Sequence, residues 1–411
     1  MEATSPKAVR LAYLVSIPIQ YQAPLLRRIA QEPGIELTVF YGSDYSVRKF
    51  QDEGFGVDVT WDVPLLDGYR YEFLPALYDN GTWSVMSPLS RGLFRRLQGR
   101  NGEPGFDLLW VHGYATANSL VAMVAAKALG IPVLVRAESW LRDRQRSGLK
   151  LAAKRVFFGI LREMVDVVLP IGTLNEQYWR RYLGDDMPMA RMPYAVDNQY
   201  FQDRSTAAAA GRSALQAELG LDPARPVILF ASKLTERKRC EDLVAAYAML
   251  SPAPGIEPHP YLVIVGDGEL RRALESQAEQ TGLSDSIRFC GFKNQSELPR
   301  YFELSTVFVL PSRHEPWGLI VNEAMNAGRP CIVSDEVGCQ PDLITDGVEG
   351  CVFPAGDIPA LALALRKVLQ NEESAARMGR NALTRIVGWS FEQDVQGLRS
   401  AIAQATGRFV A

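Results

Sequence analysis

Short apolar runs alternate with amphipathic stretches along the whole chain. In the first half the runs are VRLAYLVS, IELTVFYG, DLLWVHG, IPVLVRAES, DVVLPIG and ARMPYAV; in the second they are PVILFAS, YLVIVGDG, IRFCGF, VFVLPS, PCIVSD and GCVFPAGD. Most are rich in β-branched residues and end in Gly, Ser, Pro or Asp. The intervening segments 116–129, 239–250 and 268–282 carry helical spacing. Continuous apolar runs suit strands buried on both faces. Their alternation with helices predicts βαβ units in a parallel sheet.

The series restarts after residue 200, past the polar and Ala-rich connection FQDRSTAAAAGRSALQAELGLDPARP. Residues 1–200 and 201–390 each hold enough strand candidates for one doubly wound α/β domain. Ligands of such sheets bind at the carboxyl ends of strands, so a cleft between two facing domains is the expected site. One segment breaks the rhythm. Residues 43–106 are rich in aromatics, Asp and Gly, and within them only YEFLP reads as a strand. A loop this long in a compact domain is functional or disordered, and the aromatics argue against disorder.

Composition narrows the function. The 411 residues carry a net charge of −3 and a pI near 5.8, so no global basic field draws the chain to nucleic acid. Five cysteines, 240, 290, 331, 339 and 351, fall outside metal-ligand spacing and read as reduced thiols of a cytoplasmic protein. Lys7 and Arg10 precede an apolar run that Pro18, Gln20 and Gln22 interrupt, unlike a secretory signal. No uncharged run reaches the roughly 20 residues a bilayer requires. Residues 141–164 are basic and amphipathic; a helix covering the sheet is favoured there over one lying peripherally on the inner face of a membrane.

The densest chemistry lies in SRHEPWGLIVNEAMNAGRPCIVSD, residues 312–335. Pro316 and Gly318 break the chain after a strand, and LIVNEAMNAG has helical spacing up to Gly328. A helix starting near Gly318 presents unpaired N–H groups and a positive dipole end, a natural diphosphate site. Glu315 lies just outside this helix and Glu323 within it; carboxylates there suit sugar or ribose hydroxyls. Upstream, LFASKLTERKRCEDLV sets Lys233 after a strand and Lys238 before a helix, two cations able to neutralise a diphosphate without a metal. No Asp-x-Asp pair follows a strand, and Asp185-Asp186 reads as a solvated turn. GDGELRR lacks the third glycine of a dinucleotide fingerprint, which leaves a dehydrogenase as the weakest reading.

In these residues the C-terminal half closely resembles the retaining glycosyltransferases of family 4, which have the GT-B fold: two Rossmann-like doubly wound domains facing across a cleft. The family pattern of two glutamates separated by seven residues is met by Glu315, PWGLIVN and Glu323, and its upstream basic pair by Lys233 and Lys238. VIVGDGELRRALE, IRFCGF, DGVEGCVFPAGD and WSFEQ follow in order, so the match runs over roughly residues 190–395. The resemblance implies a nucleotide-diphosphate sugar donor (UDP, GDP or dTDP), a hydroxyl acceptor, a hexose-type sugar, retention of configuration, and neither metal nor cofactor.

It also implies residue roles. Lys233 and Lys238 would hold donor phosphates, the backbone of Trp317, Gly318, Leu319 and Ile320 would cradle diphosphate and sugar, Glu323 would bind ribose, and Glu315 the sugar hydroxyls. Gly266, Phe292 and Lys293 would lie near the nucleotide. In the looser N-terminal half, His112 follows a strand in DLLWVHG, where family members often carry a His near the transferred sugar; a buried core histidine is the competing reading. Catalysis would fall to His112, Glu315 and Lys238. The first strand-to-helix turn carries Pro18, Gln20 and Gln22 where the family often has a Gly-rich loop, and MPYAVDNQYF keeps the family's Asp as Asp197 with Tyr194-Ala195 replacing Asn-Gly. The segment 391–411 would pack back on the first domain. Acceptor candidates are Gln20, Gln22, Trp61, Tyr69, Arg136 and Glu138, although Arg136 and Glu138 could pair with each other and the aromatics could be core. A GT-B epimerase or hydrolase and a silent sugar-nucleotide-binding partner remain alternatives; donor base, sugar, acceptor and oligomeric state are not readable.

Overall fold

A computed structural model describes residues 8–52, 54–81, 84–99, 104–141, 148–250 and 258–410. The chain divides into two compact units. The first comprises 1–50, 63–194 and 391–411; the second comprises 51–62 and 195–390.

In the first unit the strands are β1 (Val9–Val15), β2 (Ile35–Tyr41), β3 (Arg70–Phe73), β4 (Leu108–His112), β5 (Val133–Arg136) and β6 (Val167–Val168). They form one parallel sheet in the order β6-β5-β4-β1-β2-β3. In the second unit they are β7 (Val227–Ala231), β8 (Tyr261–Val265), β9 (Ile287–Phe289), β10 (Val307–Leu310), β11 (Cys331–Ser334) and β12 (Gly350–Phe353), in the order β9-β8-β7-β10-β11-β12. Both sheets therefore share one winding: each runs outward from its first strand, then reverses and runs outward the other way. Apart from the edge strand β3, their strands are largely buried, as expected where helices cover both faces and favour mostly apolar side chains.

The expected strand at ARMPYAV does not form. Residues 190–194 run extended beside Val168–Ile171, donating from Ala190, Met192 and Tyr194 to carbonyls of 168, 170 and 171, with a single bridge at Met189. Pro193 has no N–H to offer a strand on the other side, so the segment is confined to the sheet edge. The sixth strand is instead β3, in the YEFLP region. The rest of the 43–106 segment holds short pairs, 50–52 with 57–59 and 76–78 with 89–90. Residues 51–62 group with the second unit, whereas the sequence reading assigned all of 1–200 to the first domain. The Ala-rich connection is helical over Asn198–Ala208 and Arg212–Leu219, and Asp197 caps the first of these by accepting from the Tyr200 N–H at 3.0 Å.

The helix Phe391–Thr406 belongs to the first unit. Val395, Leu398, Ala401 and Ile402 are buried with β-strand residues of that unit. Gly397 sits so close to the backbone that a Cβ there would fall 2.1 Å from the Arg191 carbonyl oxygen. Inside this packing Asp394 meets the Arg136 guanidinium at 3.1 Å, with both side chains at most 2% exposed. Two ties of the second unit flank the chain crossings. Asn198 donates to the carbonyls of Ile386 and Trp389 at 3.0 and 3.3 Å, and accepts from Asn326 at 2.8 Å.

Breaking a buried ion pair from one side strands the other charge. Asp394→Ala is expected to lower the unfolding free energy by about 3–5 kcal/mol, measured by denaturant titration. The double variant Arg136→Met, Asp394→Leu should recover most of it.

Candidate functional site

The second unit places its chemistry where the strand order reverses, between β7 and β10. The loop after β7 carries both lysines. Lys238 ends a 3-10 turn, Glu236–Lys238, and is only 9% exposed. Its ammonium donates to the Glu315 carboxylate. Glu315 is held in turn by its own backbone, whose N–H donates to the Glu336 carbonyl at 3.0 Å beside a bridge to Val337. Lys238 and Glu315 thus form one buried, charge-assisted unit. Lys233 is more open; its Nζ lies 2.6 Å from Asp52 and 4.8 Å from the centre of the Phe55 ring.

The helix Leu319–Asn326 begins on Gly318 at φ 91°, a left-handed conformation that glycine adopts without strain. No side chain caps it and no acidic residue sits in its first turn, so its positive end keeps its affinity for an external anion. Trp317 is turned inward: its indole N–H donates to Asn322 at 3.0 Å and its ring stacks on Trp389 at 5.4 Å and 16°. Only its backbone remains for a ligand. Glu323, on the second turn, is half-buried, and its Oε2 is sealed from solvent without a hydrogen-bond partner. Burial pushes its carboxyl up to about 8. A sealed acceptor with no donor marks a place where a hydroxyl would be welcome.

Gly266 and Gly268 serve the backbone: a Cβ on Gly266 would lie 1.9 Å from the Ser232 carbonyl oxygen. This closeness lets Leu234 donate to the Asp267 carbonyl at 2.8 Å, joining the loops after β7 and β8. Phe292 packs edge-on against Phe55 at 4.8 Å, and Lys293 lies 3.7 Å from Glu297.

The first unit has a matching cluster at its own reversal, between β1 and β4. His112 ends β4, half-buried. Gln22, from the turn after β1, brings its Nε2 within 2.9 Å of His112 Nε2 and 3.2 Å of Nδ1, and accepts from the Tyr13 hydroxyl at 2.9 Å. Glu138 stands 3.8 Å from His112 and accepts from the Tyr194 hydroxyl. Burial raises the Glu138 carboxyl, but His112, Tyr194 and the Arg136 charge outweigh it and hold the group below the usual range. The result is an imidazole and a carboxylate side by side, both partly open, on a buried polar base.

Several acceptor candidates move. Arg136 is 1% exposed and spends its guanidinium on Asp394 and the carbonyls of Met192 and Pro193, so no ligand can reach it. It pairs with Asp394, and Glu138 feels it only at longer range. Tyr69 is buried with its hydroxyl 2.7 Å from that of Tyr41 and bonded to the Leu65 carbonyl, which makes it core. Gln22 is 4% exposed and acts on His112 from beneath, while Gln20 stays half-buried in the same turn. Trp61 is half-buried and groups with the second unit. Residues 142–147 of the basic amphipathic stretch lie outside the described residues. Asp186 ion-pairs with Arg162 at 2.7 Å. Among the described residues, no three His, Cys, Asp or Glu side chains cluster as metal ligands would. Asp52, Phe55, Tyr13 and Tyr194 were missed as site residues; nothing in their local spacing marks them, and only the folded chain brings them to the named groups.

Two doubly wound units of identical strand order define the GT-B class, and solved structures agree. The chain matches sucrose-phosphate synthase from Thermosynechococcus elongatus with a TM-score of 0.67 at 21% identity, covering 96% of this chain and 98% of that one. It matches Anabaena HepE in complex with UDP with a TM-score of 0.71 at 16% identity, covering 96% and 99%. At these identities the likeness establishes the fold. Residues 211–385 match the family Glycosyl transferases group 1. Residues 211–385 of the second unit thus carry a group 1 glycosyltransferase domain, within a chain of GT-B fold. Curated relatives include alpha-D-kanosaminyltransferase of Streptomyces kanamyceticus, 34% identical over 192 residues, 47% of this chain and 48% of the relative. D-inositol 3-phosphate glycosyltransferase of Streptomyces avermitilis is 32% identical over 178 residues, 42% of this chain and 38% of the relative. The chain thus spans about half the length, or less, of the curated relatives it matches.

Glu323 yields a pH signature. Its carboxyl is raised by folding, so the stability it contributes is complete below the unfolded value near about 4.3. That stability is lost as pH rises through about 8. The melting temperature of Glu323→Gln should therefore gain on the wild type between about pH 5 and 9, as read by scanning calorimetry; parallel curves would show that the carboxylate is not buried at a cost.

Proposed function

We propose that the protein is a retaining glycosyltransferase that moves a hexose-type sugar from a nucleotide-diphosphate sugar to a hydroxyl acceptor without a metal. The observation that carries this reading is the uncapped helix start at Gly318, flanked by the Lys238–Glu315 pair and the unpartnered Glu323 oxygen, inside a group 1 domain. In this reading the second unit binds the donor and the first the acceptor. Lys233, Lys238 and the amides of Leu319 and Ile320 take up the diphosphate charge. Glu323 accepts from the ribose hydroxyls. Glu315, fixed by Lys238, reads the sugar hydroxyls near the anomeric carbon, and His112 hydrogen-bonds the sugar or positions the acceptor.

The bond from the anomeric carbon to the diphosphate oxygen breaks and a bond to the acceptor oxygen forms. The acceptor proton passes to the departing diphosphate on the same face. Charge stabilisation of that leaving group supplies the rate. Solved structures of the same fold include complexes of Anabaena HepE with UDP and with UDP-glucose, which supports UDP-sugars as the first donors to try.

Incubation with UDP-, GDP- and dTDP-sugars, following nucleoside diphosphate release and thermal shift, tests the proposal. One donor class should raise the melting temperature and turn over with added acceptors, with retention seen by NMR of the product. Lys238→Ala should cut turnover by about 10²–10³-fold. No shift and no release with any donor sinks the reading; release that ignores every acceptor favours an epimerase or hydrolase.

Peripheral membrane contact is a separate part of the proposal. No helix among the described residues is long and apolar enough to cross a membrane. The helix Gly148–Met164 nevertheless exposes Val156 at 67% and Ile160 at 59%, beside Lys150 and Arg155. Apolar residues among cations suit an anionic lipid surface. The protein should co-sediment with phosphatidylglycerol vesicles, and Val156→Asp with Ile160→Asp should abolish this. Equal recovery in the supernatant would exclude it.

A further inference from the structure

The proposed phosphate lysine already holds an anion from its own chain. Residues 50–52 and 57–59 pair as a small hairpin, and Gly54 between them lies on Lys233. Asp52 places Oδ1 2.6 Å from Lys233 Nζ. The same oxygen accepts from the N–H groups of Gly54 and Phe55 at 2.9 and 3.0 Å, so the turn fixes the carboxylate where it is. Gly54 rests directly on the lysine stem, since a Cβ there would come within 2.6 Å of Lys233 Cδ. Phe55 completes the contact, with the ammonium 4.8 Å from its ring and its edge toward Phe292. Beyond the hairpin, Asn294 donates to the Thr60 carbonyl at 2.7 Å and the Ser296 hydroxyl to Asp62. The segment is therefore fastened at several points to the loops after β7 and β9.

We infer that Asp52 is an affinity-setting residue of the donor site: it occupies Lys233 as an internal anion, and a donor phosphate must displace it. The inference rests on the reading of Lys233 as a phosphate ligand. Two like charges cannot share one ammonium at hydrogen-bond distance without repulsion, so the hairpin and the diphosphate compete. The Lys233 side chain is 37% exposed and that of Asp52 14%, so water screens the pair and the competition is mild. A pair of this exposure sets binding by a few-fold, enough to tune affinity while leaving the site open to donor.

Asp52→Asn is the variant of choice, because the amide oxygen preserves the turn while the charge is lost. Calorimetric binding of UDP, GDP and dTDP should be compared for wild type, Asp52→Asn, Lys233→Ala and the double variant. For whichever diphosphate binds, Asp52→Asn should tighten Kd by about two- to fivefold, Lys233→Ala should weaken it, and the Asp52→Asn gain should vanish in the Lys233→Ala background. If Lys233→Ala weakens binding but Asp52→Asn is neutral or weaker, the competition is refuted and the donor reading stands. If neither changes Kd, Lys233 is not a phosphate ligand and both fall. A gain that persists without Lys233 also overturns the inference, because the charge would then act elsewhere.

Discussion

Everything chemical in this protein depends on one constraint of parallel sheets. A sheet that winds outward from its centre in both directions has one place where the neighbouring loops leave toward opposite faces. No side chain of a connecting helix fills that gap. Both units have the reversal at the same position in the strand order, and both gather polar and ionisable residues there, beside large apolar core clusters. In the second unit the gap receives Lys238, Glu315 and the start of a helix; in the first it receives His112, Gln22 and Glu138.

The two gaps differ in electrostatics. The second combines two lysines with an uncapped helix end, and its carboxylates are either paired, as Glu315 is, or driven toward the neutral form, as Glu323 is. Its balance favours an external anion. The first sets a carboxylate kept ionised by its neighbours beside an imidazole, over a buried Arg136 that belongs to the scaffold. That balance favours neutral hydroxylated ligands. A charged ligand and a polar uncharged one can thus be held by units of one architecture.

Much of this was legible in the sequence because it is local. Eleven of the twelve sheet strands coincide with runs picked out by apolar patterning, and the twelfth, β3, lies at YEFLP. The helix start at Gly318 follows from Pro316, Gly318 and the spacing that comes after them. What escaped is long-range. Arg136 reads as an exposed strand-end cation until Asp394, 258 positions away, claims it. Tyr69 reads as a ligand platform until Tyr41 takes its hydroxyl. Residues 51–62 carry no periodicity that assigns them to either half, and their affiliation is decided by Lys233, Phe292 and Asn294. ARMPYAV has the composition of a strand, but it runs as an irregular extended edge segment with a single bridge at Met189.

The helix that begins at Gly318 is fastened at both ends to residues beside two of the four places where the chain passes between its units. At its start Trp317 stacks on Trp389, two positions before residue 391 opens the returning helix. At its end Asn326 bonds Asn198, just beyond the crossing at 194–195, and Asn198 grips the Trp389 carbonyl. Within the second unit, the stacked rings and hydrogen bonds therefore tie the helix to residues 198 and 389. The anion-facing turn is thereby anchored to the chain just inside two of its passages from one unit to the other.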